Sequence, residues 1–192
     1  MTPKTIGAAA RPVGPDSAMD VAARGDDWPQ ELYRVLKANK IGHMSYVPDA
    51  GHAKLIRLFG ADTTVVSNVL TTEEEGIAIA VGAWLGGVRS VLLLQSSGVG
   101  NCINMLSLAT MTRTPLLMLV TMRGEWAEFN PWQVPMGLAT EPNLTAMGIR
   151  AMRADTPENL FETVESAAAL AFESEQQVAV IISQRLLGRK KW

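Results

Sequence analysis

The sequence is poor in the residues that build metal centres and disulfides. Its 192 residues include one cysteine, Cys102, and two histidines, His43 and His52. A single thiol excludes an internal disulfide and a cysteine-cluster metal site, and two histidines are too few for a histidine-rich one. An excess of one charge sign is also lacking: 17 Lys and Arg stand against 19 Asp and Glu, a formal net charge of −2. That balance offers no basic face to a nucleic acid. No apolar run approaches the ~18 residues of a membrane-spanning helix. No apolar leader opens the chain either, so a reduced, cytoplasmic setting is expected rather than secretion. A Gly-x-x-x-x-Gly-Lys-Ser/Thr loop and a Gly-x-Ser-x-Gly elbow are both absent, which argues against a P-loop nucleotidase and an α/β-hydrolase nucleophile. Gly98-Val99-Gly100 begins like a dinucleotide fingerprint, but Ile103 stands where the third glycine belongs. What is abundant is apolar surface: 47% of residues are hydrophobic and 19% charged. Such a chain can bury a sizeable core and still hold apolar surface for a subunit interface.

Residues 1–27 are rich in Ala, Pro, Gly and Asp without a period and read as a mobile arm. The remainder, 28–192, reads as one domain. Leu32, Val35 and Leu36 set a helical stripe after Trp28-Pro29. Ile41–Val47 and Thr64–Val69 read as strands, with a short helix over His52–Phe59 between them. Thr72 and Glu75 have capping-box spacing ahead of Ile77, Ala80, Val81, Trp84 and Leu85. Val91–Leu94 has the continuous apolar character of a central parallel strand. Ser96–Gly100 reads as a tight loop leading to a helix with Cys102, Met105, Leu106 and Ala109 inside. Leu116–Thr121 reads as a strand, and Arg123–Asn143 as a long irregular connection carrying Trp126 and Trp132. A strand over Ile149–Met152 precedes a helix capped by Thr156-Pro157, with Leu160, Val164, Ala167, Ala168 and Ala171 inward. Val178–Ile182 is the last strand, and Arg189-Lys190-Lys191 reads as a solvated tail. The expected fold is α/β: an open, mostly parallel sheet of about six strands with helices on both faces. Ligands on such sheets gather at the carboxyl ends of strands, here the segments 48–52, 70–74, 95–101 and 121–136.

Glu73-Glu74-Glu75 opens the third helix. First-turn carboxylates complement the helix dipole at about 0.3–1 kcal/mol each, yet three exceed what capping needs. The helix they open is rich in small residues, Gly76, Ala78, Ala80, Gly82 and Ala83. Small residues admit another backbone or a flat ligand, and a carboxylate held in an interface changes its chemistry. Cys102 reads as a core residue of its helix rather than a reactive thiol.

The run Thr72–Gly87 resembles the pyrimidine-binding domain of thiamine diphosphate enzymes, in particular 2-oxo acid decarboxylases of the sulfopyruvate and phosphonopyruvate type. Three further stretches agree in order and spacing: Tyr46-Val47-Pro48-Asp49, Leu94–Asn101, and Arg123-Gly124-Glu125 with Gln133–Thr140. The resemblance covers about residues 28–185. In that family one glutamate contacts N1′ of the cofactor pyrimidine and shares a proton with it. Counting back from Gly82 puts that role on Glu73, leaving Glu74 and Glu75 to capping. The resemblance also implies that Ser96, Ser97, Gly98 and Asn101 lie near the cofactor, and that Asp49, His52 and Arg123 face substrate. It implies thiamine diphosphate with Mg2+. The Gly-Asp-Gly…Asn motif that holds the diphosphate and Mg2+ in such enzymes is absent here, so no metal ligand is assigned to this chain. A second subunit is expected to carry that half of the site, in a hetero-oligomer. Thr72, Ser96 and Ala50 stand where relatives often carry Arg, Asn and Ser. They leave open which 2-oxo acid is used, and whether it is decarboxylated or ligated. A non-catalytic scaffold of the same fold is the alternative, against which Glu73 speaks.

Overall fold

The computed structural model describes residues 27–189. The expected arm over 1–27 therefore lies outside the described residues except for Asp27, as does the end of the basic tail. α1 (Trp28–Ala38) starts at Asp27 with Pro29 in its first turn, where the fixed proline φ suits a helix. It buries Leu32 and Leu36. β1 (Ile41–Tyr46) leads through a Pro-Asp-Ala-Gly turn into α2 (Ala53–Gly60), and β2 (Val66–Val69) follows. Then come α3 (Glu73–Leu85), β3 (Arg89–Gln95), α4 (Ser96–Cys102), α5 (Leu106–Thr112) and β4 (Leu116–Thr121). After an extended strap and a 3-10 turn, Pro131–Gln133, the chain forms α6 (Val134–Ala146), β5 (Arg150–Ala154), α7 (Pro157–Glu173), β6 (Gln177–Ile182) and α8 (Gln184–Leu187).

The strands form one six-stranded sheet in the order β2-β1-β3-β4-β6-β5. Every neighbouring pair is parallel. β3, β4 and β6 run through the middle, and their alternate side chains feed two separate cores. Val91, Leu93, Leu117, Leu119, Val178 and Val180 point to the side covered by α1, α2 and α7. Leu92, Leu94, Met118, Val120 and Ile181 point to the side covered by α3 to α6. Burial on both faces explains the near-continuous apolar runs of these strands. No helix among the described residues is long and apolar enough to cross a membrane.

Four local expectations change. Ser96–Gly100 is not a loop: α4 begins directly at the end of β3. The second half of the expected irregular connection is the helix α6, with Pro135 in its first turn and Pro142 inside it. Leu85 is not part of the inner stripe of α3 but is 81% exposed, because Glu73, Gly76, Ile77 and Ala80 form the buried side. The capping box at Thr72 does not form: the Thr72 side chain makes no cap bond, and Glu75 Oε2 instead accepts a hydrogen bond from Thr71 N at 2.9 Å. At α7 the Thr156 cap is present, with the Asn159 side chain closing it reciprocally.

Candidate active site

From β1 the chain moves outward to β2 and then back across to β3, so the sheet order reverses between β1 and β3. The crevice beyond the carboxyl ends of the strands at such a reversal is where ligands of open parallel sheets bind. Two groups of polar side chains flank it.

The first is the seam between α3 and α4. Glu73, the first residue of α3, is only 8% exposed, whereas Glu74 and Glu75 are exposed. Gly98 makes room for it. A Cβ at position 98 would sit 2.5 Å from Glu73 Oε1 and 2.6 Å from Cδ and Cγ, so any side chain there would displace the carboxylate. One turn on, Asn101 Nδ2 donates to Glu73 Oε2 at 2.8 Å. Oε1 accepts no hydrogen bond from the described residues, and Glu73 has no ion-pair partner among them. Behind the seam Gly76 lets α3 lie against β3, since a Cβ there would overlap Leu92 and Leu70. Gly82 does the opposite: nothing lies within 4 Å of its Cβ position, and it faces outward. Cys102, buried under this seam, has its thiol pushed up to about 12, chiefly by burial and then by the charges of Glu73 and Glu74. A thiol so held stays protonated and is no nucleophile.

The second group closes the crevice from the other side. Asp49, after β1, accepts from Gln95 Nε2 at 2.8 Å through Oδ1, and from Thr121 Oγ1 at 2.7 Å and Gly51 N at 3.0 Å through Oδ2. Ser97 Oγ donates to Gln95 Oε1 at 3.0 Å, which links this network to α4. A small cavity of about 10 Å³, space for one water, lies here among Asp49, Gly51, Gln95, Thr121, Arg123 and Gln184. His52 does not line it. His52 is 1% exposed, and its Nε2 lies 3.0 Å from Leu119 O. A carbonyl can only accept, so Nε2 carries the proton. Burial pushes the pKa of this ring below its ordinary value. Its visible role is to pin the β1–α2 connection to β4.

Ser96 is fully buried and turned away from the Glu73 seam. Its Oγ accepts from Arg123 N at 3.1 Å, which ties the end of β3 to the exit of β4. Arg123 is spoken for as well. Its Nε and Nη2 each donate to Glu128 at 2.6 Å, and its guanidinium lies over the Phe129 ring. Glu128 also accepts from Gly124 N, Asn130 N and Gln184 Nε2. Arg123 first of all holds the Glu128 carboxyl down at about 2. Gln184 Oε1 in turn accepts from Glu125 N and Trp126 N, so the start of α8 fastens the strap that follows β4. Gln95, Thr121, Glu128 and Gln184 were not singled out from the sequence. Glu128 and Gln184 meet across 56 residues of chain, and no local spacing announces such a contact.

Against this geometry stand the comparisons. No family model matches the chain. The sulfopyruvate decarboxylase subunit alpha of Methanocaldococcus jannaschii is 32% identical over 151 residues, which are 78% of this chain and 89% of that protein. This chain belongs to the sulfopyruvate decarboxylase alpha-subunit family. The alpha subunit of Methanococcus maripaludis is 30% identical over 154 residues, 80% of this chain and 92% of its own length. Among solved structures, benzoylformate decarboxylase from Polynucleobacter necessarius superposes with a TM-score of 0.66 at 16% identity, covering 83% of this chain and 30% of that one. At that identity the likeness concerns the fold. This chain therefore shares the fold of part of that decarboxylase, and Glu73 lies on a helix of that fold.

Proposed function

We propose that this chain is the pyrimidine-binding half of a two-chain, thiamine diphosphate-dependent decarboxylase acting on a small anionic 2-oxo acid of sulfopyruvate type. The observation that carries the reading is the Glu73 seam. A carboxylate with one oxygen bonded to an amide, the other unbonded and no ion-pair partner among the described residues fits a ligand whose ring nitrogen shares a proton. Gly98 is the cradle that a Cβ would fill. Bound thiamine diphosphate would supply the electron sink that carbon–carbon cleavage next to a carbonyl requires. With it bound, Glu73 would hold and release a proton at Oε1, the work of a positioned general acid–base. Gly98, Ser97 and Asn101 shape the ring's side of the crevice. Ser96 acts behind them by tying β3 to β4.

On the substrate side the reading keeps Asp49 and Arg123, and moves His52 back to a supporting position. The diphosphate and Mg2+ are assigned to the second subunit. Apolar side chains left exposed on α3, α5 and α6, Leu85, Met111 and Leu138, together with Trp132, suit burial against such a partner. The described residues from 28 onward are the folded unit in this proposal, and the cytoplasm its setting. The test is reconstitution. With its second subunit, thiamine diphosphate and Mg2+, the chain should release CO2 from sulfopyruvate, and alone it should not. Full turnover by the single purified chain would overturn the half-site reading.

A further inference from the structure

We propose that Asn101 is a positioning residue that decides which oxygen of Glu73 carries the proton. This rests on the role just given to Glu73. The amide Nδ2 can only donate, and it donates to Oε2. A carboxyl oxygen that accepts such a bond is the carbonyl-like one. The proton is thereby directed to Oε1, the oxygen beside Gly98 that accepts no hydrogen bond from the described residues. Without the amide the two oxygens are equivalent. The side chain could then turn about its last bond and present either of them, protonated or not. Gly98 and Asn101 stand three residues apart on one face of α4, so a single helical turn supplies both the room for the carboxyl and its orientation. α4 is held to the rest of the crevice through the Ser97–Gln95–Asp49 chain of hydrogen bonds. Asn101 itself is exposed at the surface, so its replacement leaves the core intact.

The test uses the reconstituted complex and three substitutions. Asn101→Ala removes the donor. Asn101→Asp keeps the shape but offers only acceptors while ionised. Asn101→Gln returns the donor one methylene further out. Asn101→Ala should lower kcat about 10–100-fold, the worth of one hydrogen bond to a charged group, with KM for sulfopyruvate within about twofold. Asn101→Asp should lose at least as much at neutral pH and recover as pH falls, because its protonated carboxyl regains an O–H donor. Asn101→Gln should recover part of the loss. In the chain alone, the Asn101 side-chain amide signal in nitrogen–proton NMR should move when Glu73 is changed to Gln, a readout that needs no cofactor. If Asn101→Ala keeps full kcat while Glu73→Gln is inactive, Asn101 has no positioning role and the role of Glu73 stands. If Asn101→Asp loses activity equally at every pH, the amide serves structure alone and the inference fails. If Glu73→Gln is itself fully active, the reading of the seam fails first.

Discussion

Two buried carboxylates sit at the same end of this sheet, and their neighbours set them apart. Glu128, in the strap after β4, has a side chain only 3% exposed and is gripped by both arms of Arg123, two backbone amides and Gln184. Every bond it makes favours the charged form, so it stays ionised and does structural work. Glu73, at the start of α3, is nearly as enclosed but among the described residues meets one amide and no ion-pair partner. A carboxylate so placed has one oxygen that accepts no hydrogen bond from the described residues and is open to a ligand. The same residue type is thus a clasp in one place and, in the function proposed above, a proton-sharing group in the other.

The comparison breaks most visibly by removing the acids one at a time. In the reconstituted complex Glu73→Gln should cut turnover by ~10²–10⁴-fold, while urea unfolding of the chain changes by no more than about 1 kcal/mol, the dipole contribution of a first-turn carboxylate. Glu74→Gln and Glu75→Gln are its controls and should keep the rate. Loss of activity in Glu74→Gln instead would move the register by one residue, and activity in all three would remove Glu73 from the chemistry.

Glu128→Gln should behave in the opposite way, as a stability defect. Breaking a buried pair and leaving Arg123 unmatched costs about 3–5 kcal/mol, to be read from urea midpoints. Its pH dependence has a definite sign. The native carboxyl is held at about 2, below its ordinary 4.5. Its stabilisation is therefore complete above about 4.5 and drains away as pH falls toward 2. The wild-type and Glu128→Gln unfolding curves should converge over that window, and curves that stay parallel would show that the clasp contributes nothing through its charge.

Thr72→Ala is the smallest change. The Thr72 hydroxyl makes no cap bond, so the loss should stay within about 0.5 kcal/mol, below the ~1 kcal/mol typical of an N-cap. Thermal melts beside Thr156→Ala, whose cap is formed, would sharpen the point: Glu73 is seated by α4 and not by its own N-cap. A larger loss at Thr72 would contradict this.

Elements whose signals are local were legible in the sequence. The Thr156-Pro157 start of α7, its stripe of Leu160, Val164, Ala167, Ala168 and Ala171, and the strand Leu116–Thr121 all stand where composition and period put them. The start of α3 was legible as well, and Glu73 within it was singled out by the acidic run, the small-residue helix and the family resemblance. α4 and α6 were not. Ser-Ser-Gly-Val-Gly and a segment holding Pro135 and Pro142 have poor intrinsic helix propensity. They are helical because α4 must pass close under Glu73 and beside Met136, where a Cβ at 98 or at 100 would meet those side chains at 2.5 Å and 3.2 Å. α6 must likewise lie against the strap: a Cβ at Gly137 would overlap Arg123 O. Packing that needs a missing side chain overrides propensity, and only the folded chain reveals it.

By itself the sequence determined a parallel α/β sheet and its strand-forming runs, because these follow from periodicity, capping and composition along the chain; the choice of one carboxylate among three came from the family resemblance. The tertiary structure decided what each carboxylate meets. Arg123 to Glu128, Gln184 to the strap and Asn101 to Glu73 are separated by 5, 56–59 and 28 residues respectively. The ionisation of a buried acid depends on such partners and on the water they exclude, and most of these meet only when the sheet brings its strand ends together.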